Sequence, residues 1–187
     1  AGEDVIHMEV GQPSTPAPCK VLALASSALF DDNLGYTEAL GNPSLRMQIA
    51  DYYNRIYNTE LDHDRIIITT GSSGGLLLSF LSAFDAGDRV AITSPGYPAY
   101  RNMLQALGIE AIEISVGPQS HFKLTAEKLS TISEKLDGLI ISSPSNPTGS
   151  MISPGELAGI VEWCHHEKIR LISDEIYHGI AYSQKAA

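Results

Sequence analysis

From Arg65 onward, short apolar runs alternate with longer segments whose apolar positions recur at helical spacing. The runs "RIIITT" (65–70), "RVAITS" (89–94), "IEAIEISV" (109–116), "GLIISS" (138–143) and "RLISD" (170–174) are predicted strands. Between them, "GGLLLSFLSAFDAGD" and "PAYRNMLQALG" are predicted helices, closed by Gly87 and Gly108. "TAEKLSTISEKLDG" (125–138) is a third, with Leu129, Ile132 and Leu136 on one face. "SPGELAGIVEWCHHEK" is the fourth and the best marked, because Ser153 as N-cap, Pro154 at N1 and Glu156 at N3 spell a capping box. Nearly continuous apolar strands joined by helix-length crossovers predict a three-layer αβα domain around a mainly parallel sheet, covered on both faces.

The sequence before Arg65 follows a different pattern. "NPSLRMQIADYYNRIYN" repeats the capping logic with Asn42 and Pro43, and its expected buried stripe is Leu45, Ile49 and Ile56. Residues 1–30 hold the Pro/Gly-rich "EVGQPSTPAP" and no core pattern of their own, which suggests an arm or part of a second domain.

Composition narrows the class. The 187 residues carry 22 acids against 12 bases, a formal net charge of -10, scattered rather than blocked. A basic face for phosphate backbones is missing, so nucleic acid is not an expected partner. The longest apolar stretches, "VLALASSALF" and "GGLLLSFLSAF", fall well short of the ~20 residues that span a bilayer, so no membrane association is expected. The two cysteines, Cys19 and Cys164, have no metal-ligand spacing, no metal site is expected, and Cys164 reads as a small core residue. A reducing, cytoplasmic setting fits that usage. The chain starts without methionine and stops in "YSQKAA" just after a strand and turn, as though both ends continued in a longer protein.

In an open α/β sheet, ligands bind beyond the carboxyl ends of the strands. Four segments fall there. "TTGSSGG" places Gly71, Ser72, Ser73 and Gly74 where a strand turns into a helix, and free N–H groups with two hydroxyls suit an anion. Such a turn needs glycine on steric grounds alone, and neither a dinucleotide fingerprint nor a phosphate-loop lysine accompanies it. Tyr97 in "SPGYPAY" can stack on a flat heterocycle, or simply pack a loop. Asn146 in "SSPSNPTG" offers a side-chain amide held by flanking prolines. Asp174 in "DEIYHG" ends the last strand; it is either a turn cap or a carboxylate needing a cation, and Tyr177 stands three residues on.

Together, an anion cradle, a stacking ring, an amide, a carboxylate and a phenol match the needs of pyridoxal 5'-phosphate (PLP), whose ring works as an electron sink. The sequence resembles the class I/II aminotransferases, of the type I fold of PLP-dependent enzymes, from "VGQPSTPAP" through "YTEALGNPSLRMQIADYY", "TTGSSGG", "SPGYPAY" and "SNPTG" to "SDEIYHG". "SNPTG" followed by "DEIY" at this spacing is the most specific part.

The resemblance implies roles for individual positions. Ser72, Ser73 and Gly74 match the phosphate-binding turn, and Tyr97 the ring stacked on the cofactor. Asn146 matches a residue bonded to the ring oxygen, beside a proline often preceded by a cis bond. Asp174 matches the partner of the pyridinium nitrogen, and Tyr177 a second donor to the ring oxygen. Gly11 and Asn146 match positions beside the substrate, and Tyr36 a tyrosine reaching the cofactor phosphate of the neighbouring subunit in a homodimer. It also implies amino acid and 2-oxo acid substrates, a partial PLP-binding large domain over 31–187, and an arm or part of a small domain over 1–30.

The family's Schiff-base lysine and substrate-binding arginine are expected beyond residue 187. Lys185 is too close to Asp174 to replace that lysine, and Lys20, Lys123, Lys128, Lys135 and Lys168 lack its motif. By itself the chain is expected to be an inactive piece of an aminotransferase. Other enzymes of the same fold, such as C–S lyases and cyclopropane-forming synthases, share these residues, as do aminotransferase-like sensing domains of transcription regulators.

Overall fold

The computed structural model describes residues 15–32 and 34–182. Its centre is a four-stranded sheet of β1 (Arg89–Ser94), β2 (Glu110–Ser115), β3 (Gly138–Ser142) and β4 (Arg170–Asp174), in the order β2-β1-β3-β4. Every pairing is parallel, as the apolar runs predict. Side chains alternate between the two faces of a strand, and the core divides accordingly. On one face Ala91, Leu139 and Ile141 meet Leu129 of α5 (Ala126–Ser130) and Ile160 and Cys164 of α6 (Pro154–Glu167). On the other, Val90, Ile92 and Ile140 meet Leu76 and Phe80 of α3 (Gly71–Ala83) and Tyr100 and Leu104 of α4 (Pro98–Ala106). The result is the expected three-layer αβα arrangement. Phe80, Leu104, Leu129, Leu139 and Ile160 are among its fully buried side chains, each contributing about 1.5–3 kcal/mol by leaving water.

The capping box forms as its letters predict. Glu156 N–H donates to Ser153 Oγ, and Ser153 N–H donates to Glu156 Oε2 at 2.7 Å. Cys164 is buried, and that burial pushes its thiol up to about 11, so it behaves as an inert core residue.

Three expectations are corrected. Residues 65–70 do not pair as a strand: after a 3₁₀ turn at His63–Arg65 the chain is extended, and Ile68 N–H donates to Leu40 O at 3.0 Å, but the segment joins no ladder among the described residues. Apolar β-branched letters give extended backbone; a strand also needs a neighbour. The helix expected over 125–138 stops at Ser130. There the hydroxyls of Ser130 and Thr131 donate to the carbonyls of Glu127 and Lys128, both at 2.7 Å, a local competition that shortens helices. Leu129 and Leu136 are buried all the same, so the apolar spacing reports the anchors and not a continuous helix.

The third correction concerns α2 (Pro43–Tyr57), which starts as read, with Asn42 Oδ1 accepting from Ser44 N–H. Leu45 and Ile56 are exposed and Ile49 only half-buried, whereas Arg46 and Ala50 are buried. The guanidinium of Arg46 decides the orientation: it reaches Asp64 at 3.3 Å, Glu38 at 3.6 Å and the His63 carbonyl, which compensate its buried charge. Within residues 1–30, Cys19–Asp31 form α1, a helix with no buried residue among those described. No helix of the described residues is long and apolar enough to cross a membrane.

Candidate active site

The strand order reverses between β1 and β3. From β1 the chain moves outward to β2, then crosses back to the other side for β3 and β4. Such a switch point leaves a crevice above the carboxyl ends of the two central strands. A cavity of about 150 Å³ opens there, lined by Ser72, Tyr97, Tyr100, Ser142, Asn146, Asp174, Ile176 and Tyr177. A second, wider hollow of about 790 Å³ shares Asn146 and Tyr177 with it and continues over Lys123, Ser150, Ile180 and Tyr182.

Each wall of the smaller cavity has a local cause. Gly71 takes φ +77, a conformation that glycine adopts freely, and so turns the extended segment into α3. Thr70 provides no side-chain cap, so the first N–H groups of α3 are not consumed by their own N-cap residue. Ser72 lines the cavity from this turn. On the next wall, Gly96 leaves no room for a side chain, since an added Cβ would come within 2.4 Å of the Thr93 carbonyl oxygen. That tight bend sets Tyr97 at the N-cap of α4, its ring edge-on to Tyr100 with centroids 5.5 Å apart and planes at 85°.

Asn146 follows β3 in a loop held at several points. Ser145 N–H donates to Ser150 O at 2.9 Å, Gly149 N–H to Ser145 O at 2.8 Å, and Ile152 N–H to Ser143 Oγ at 3.0 Å. The Asn146–Pro147 peptide is cis, as the resemblance implies.

Asp174 lies in register with Ser142 at the end of β4 and is half-buried. Its Oδ1 accepts from Ile176 N–H at 3.1 Å, and its Oδ2 accepts from the Tyr100 hydroxyl at 2.7 Å. Burial, and then the bond to Asp174, push the Tyr100 phenol well above the usual tyrosine range, so it stays a donor. Tyr100 went unremarked in the sequence. Its spacing of three residues from Tyr97 at a helix start was the available signal, because such positions share a face.

Of the residues singled out from sequence, Ser72, Tyr97, Asn146, Asp174 and Tyr177 share this cavity. Ser73 and Gly74 sit in the same turn, but neither lines it. Tyr36 is fully exposed and not among the lining residues. Gly11 and Lys185 lie outside the described residues. No lysine or arginine lines the cavity among the described residues. Elsewhere, Asp62, His63 and Asp64 bring potential metal-ligand atoms within 4.8 Å of one another, but Asp64 is already paired with Arg46.

These features define an α/β domain of the kind that takes a ligand at the carboxyl edge of a parallel sheet. The chain belongs to the aminotransferase class I and II family, whose model matches residues 3–187. It is 53% identical over 179 residues to a valine–pyruvate aminotransferase of Mycobacterium tuberculosis, covering 96% of this chain and 46% of that protein. It is 32% identical over 186 residues to an aspartate aminotransferase of Bacillus subtilis, covering 99% of this chain and 47% of that protein. Among solved structures, an aminotransferase from Mycobacterium tuberculosis superposes with a TM-score of 0.90 at 53% identity, over 95% of this chain and 49% of that one. The chain therefore spans about half the length of the curated relatives it matches.

Proposed function

We propose that the full-length protein is a PLP-dependent aminotransferase, moving an amino group from an amino acid to a 2-oxo acid. The observation that carries this reading is the convergence of Asp174, Asn146, Tyr97, Tyr177 and Ser72 on one small cavity. The donor set fits the cofactor. A carboxylate lines a hollow with no basic side chain among its described lining residues, so a cationic ring bound there would find a counter-charge. An aromatic ring, an amide and a phenol stand around it, beside a helix start without a side-chain cap.

Bound there, PLP supplies an electron sink for the charge that develops at the substrate Cα. Asp174 holds the proton on the ring nitrogen, since an adjacent opposite charge raises such a pKa by about 1–3 units. Asn146 and Tyr177 would donate to the ring oxygen. Tyr97 would cover a ring face and exclude water, while the turn at Ser72, Ser73 and Gly74 would take the phosphate. Gly11, outside the described residues, is assigned to the substrate carboxylate by resemblance alone. None of the described lysines lines the cavity, so the 187-residue chain alone is expected to bind the cofactor weakly and without turnover.

The same proposal assigns 31–187 to part of a cofactor domain and 1–30 to an arm or part of a smaller domain, in a homodimer that Tyr36 helps complete. The exposed apolar side chains of α1, Leu24 and Phe30 among them, support burial against another surface. A reducing cytoplasm suits the exposed free thiol of Cys19.

The name of the Mycobacterium tuberculosis relative makes valine and pyruvate the first pair to try. Full-length protein with PLP is expected to yield alanine and 3-methyl-2-oxobutanoate from them. A cofactor-loaded protein that transfers no amino group from any of a broad panel of amino acids would overturn the reading.

A further inference from the structure

Tyr100 is 5% exposed and packs in the core between α3, α4 and the sheet, yet its hydroxyl emerges at the cavity wall. There it donates to Asp174 Oδ2 at 2.7 Å, while the Ile176 N–H donates to Oδ1 at 3.1 Å. Two donors on different oxygens fix both the position and the plane of a carboxylate, and one lone-pair direction on each oxygen stays free. The same ring meets Tyr97 edge-on. One buried side chain thus touches both the charged group and the aromatic wall of the cavity.

We propose that Tyr100 is a positioning residue: its hydroxyl aims the Asp174 carboxylate at the ring nitrogen of the bound cofactor, and its ring sets the tilt of Tyr97. This rests on the PLP reading above. The phenol suits the task because its ring is buried in the core, and its neutral form persists across the physiological range. The two halves of the role separate chemically. Tyr100→Phe deletes the hydroxyl and keeps the ring against Tyr97, whereas Tyr100→Leu deletes both.

The test uses the full-length protein and pyridoxamine 5'-phosphate, which has the ring and phosphate of PLP but no aldehyde to react with a lysine. Affinity is measured for the wild type, Tyr100→Phe, Tyr100→Leu, Asp174→Ala and the Tyr100→Phe/Asp174→Ala double variant, together with the ¹⁵N shift of the labelled ring nitrogen. Tyr100→Phe is expected to weaken binding about three- to tenfold, within the range for net loss of one hydrogen bond. It should also move the ring-nitrogen shift towards that of free ligand. In the Asp174→Ala background the same change is expected to cost less than about twofold, because the group being aimed is gone. Tyr100→Leu is expected to weaken binding further than Tyr100→Phe. Wild-type binding that Asp174→Ala weakens but Tyr100→Phe leaves unchanged in affinity and shift overturns the positioning role alone. Equal losses from Tyr100→Phe in both backgrounds also overturn it, by showing a general packing effect. A full-length wild type that binds no ligand, or binds it equally well after Asp174→Ala, overturns the PLP reading and this inference with it.

Discussion

Helices α3 and α6 each begin at the carboxyl side of the sheet, and their first turns are handled in opposite ways. At α6, Ser153 and Glu156 satisfy each other's backbone, Pro154 occupies the position that needs no donor, and Lys123 pairs with Glu156. At α3, Thr70 makes no cap, Gly71 supplies the turn, and Ser72 lines a cavity shared with Asp174 and Asn146. A closed helix end stabilises the fold; at the open one Gly71 N–H donates to Thr69 O, and no N-cap side chain takes up the donors that follow. On the proposed reading, two turns of the same kind divide the labour between stability and binding.

The contrast can be broken in several ways, and the largest expected effect lies opposite the open turn. Asp174→Ala should weaken pyridoxamine 5'-phosphate binding by at least about tenfold, measured by titration, since it removes a charge-assisted bond of about 1.5–3 kcal/mol. Equal affinity would remove Asp174 from the site. Next, Gly71→Ala should lower stability by about 1–2 kcal/mol in denaturant unfolding, because a side chain is strained at φ +77, and ligand affinity should fall with the displaced turn. An unchanged unfolding midpoint would show that the turn relaxes freely.

A crossed pair sharpens the point. Ser153→Ala should cost about 1 kcal/mol of stability and leave ligand affinity unchanged. Ser72→Ala should change stability by less than about 0.5 kcal/mol and weaken binding several-fold. If the two variants behave alike in both assays, the division of labour fails.

The smallest effect is in acid. The Lys123 ammonium, then the Ser153 backbone, hold the Glu156 carboxyl down from 4.5 to about 2. A folded-state pKa below the unfolded one adds stability that is present above about pH 4.5 and lost as pH falls towards 2. Asp137, lowered chiefly by the Arg89 N–H and then by Lys135, acts in the same direction. Glu156→Gln should therefore flatten, without abolishing, the loss of stability over that window; an unchanged pH profile would mean the pair contributes nothing to folding.

Much of this arrangement is legible along the chain because its signals are local. The α6 cap lies within four consecutive residues, Ser153 to Glu156, and the runs that become β1, β3 and β4 are bounded by turn residues. Misreadings arise where a partner distant in sequence decides. Residues 65–70 have strand letters, but a strand is a pairing, and Ile68 finds only the carbonyl of Leu40. Leu45 and Ile56 have a helical stripe's spacing, yet buried Arg46, reaching Asp64 across 18 positions, turns another face inward. Tyr100 reads as one more aromatic core residue until its hydroxyl is seen on a carboxylate 74 positions away.

The amino-acid sequence by itself determined the parallel αβα layering, the turn glycines, the capped and uncapped helix starts, and the residue types waiting at the strand ends. It could do so because steric limits, capping bonds and apolar periodicity act over a few neighbouring residues. Only the tertiary structure decided that five of those residues share one hollow, which face of α2 packs inward, and that Tyr100 holds Asp174. Those outcomes depend on strand order and on where the sheet reverses direction, which no local run of letters encodes.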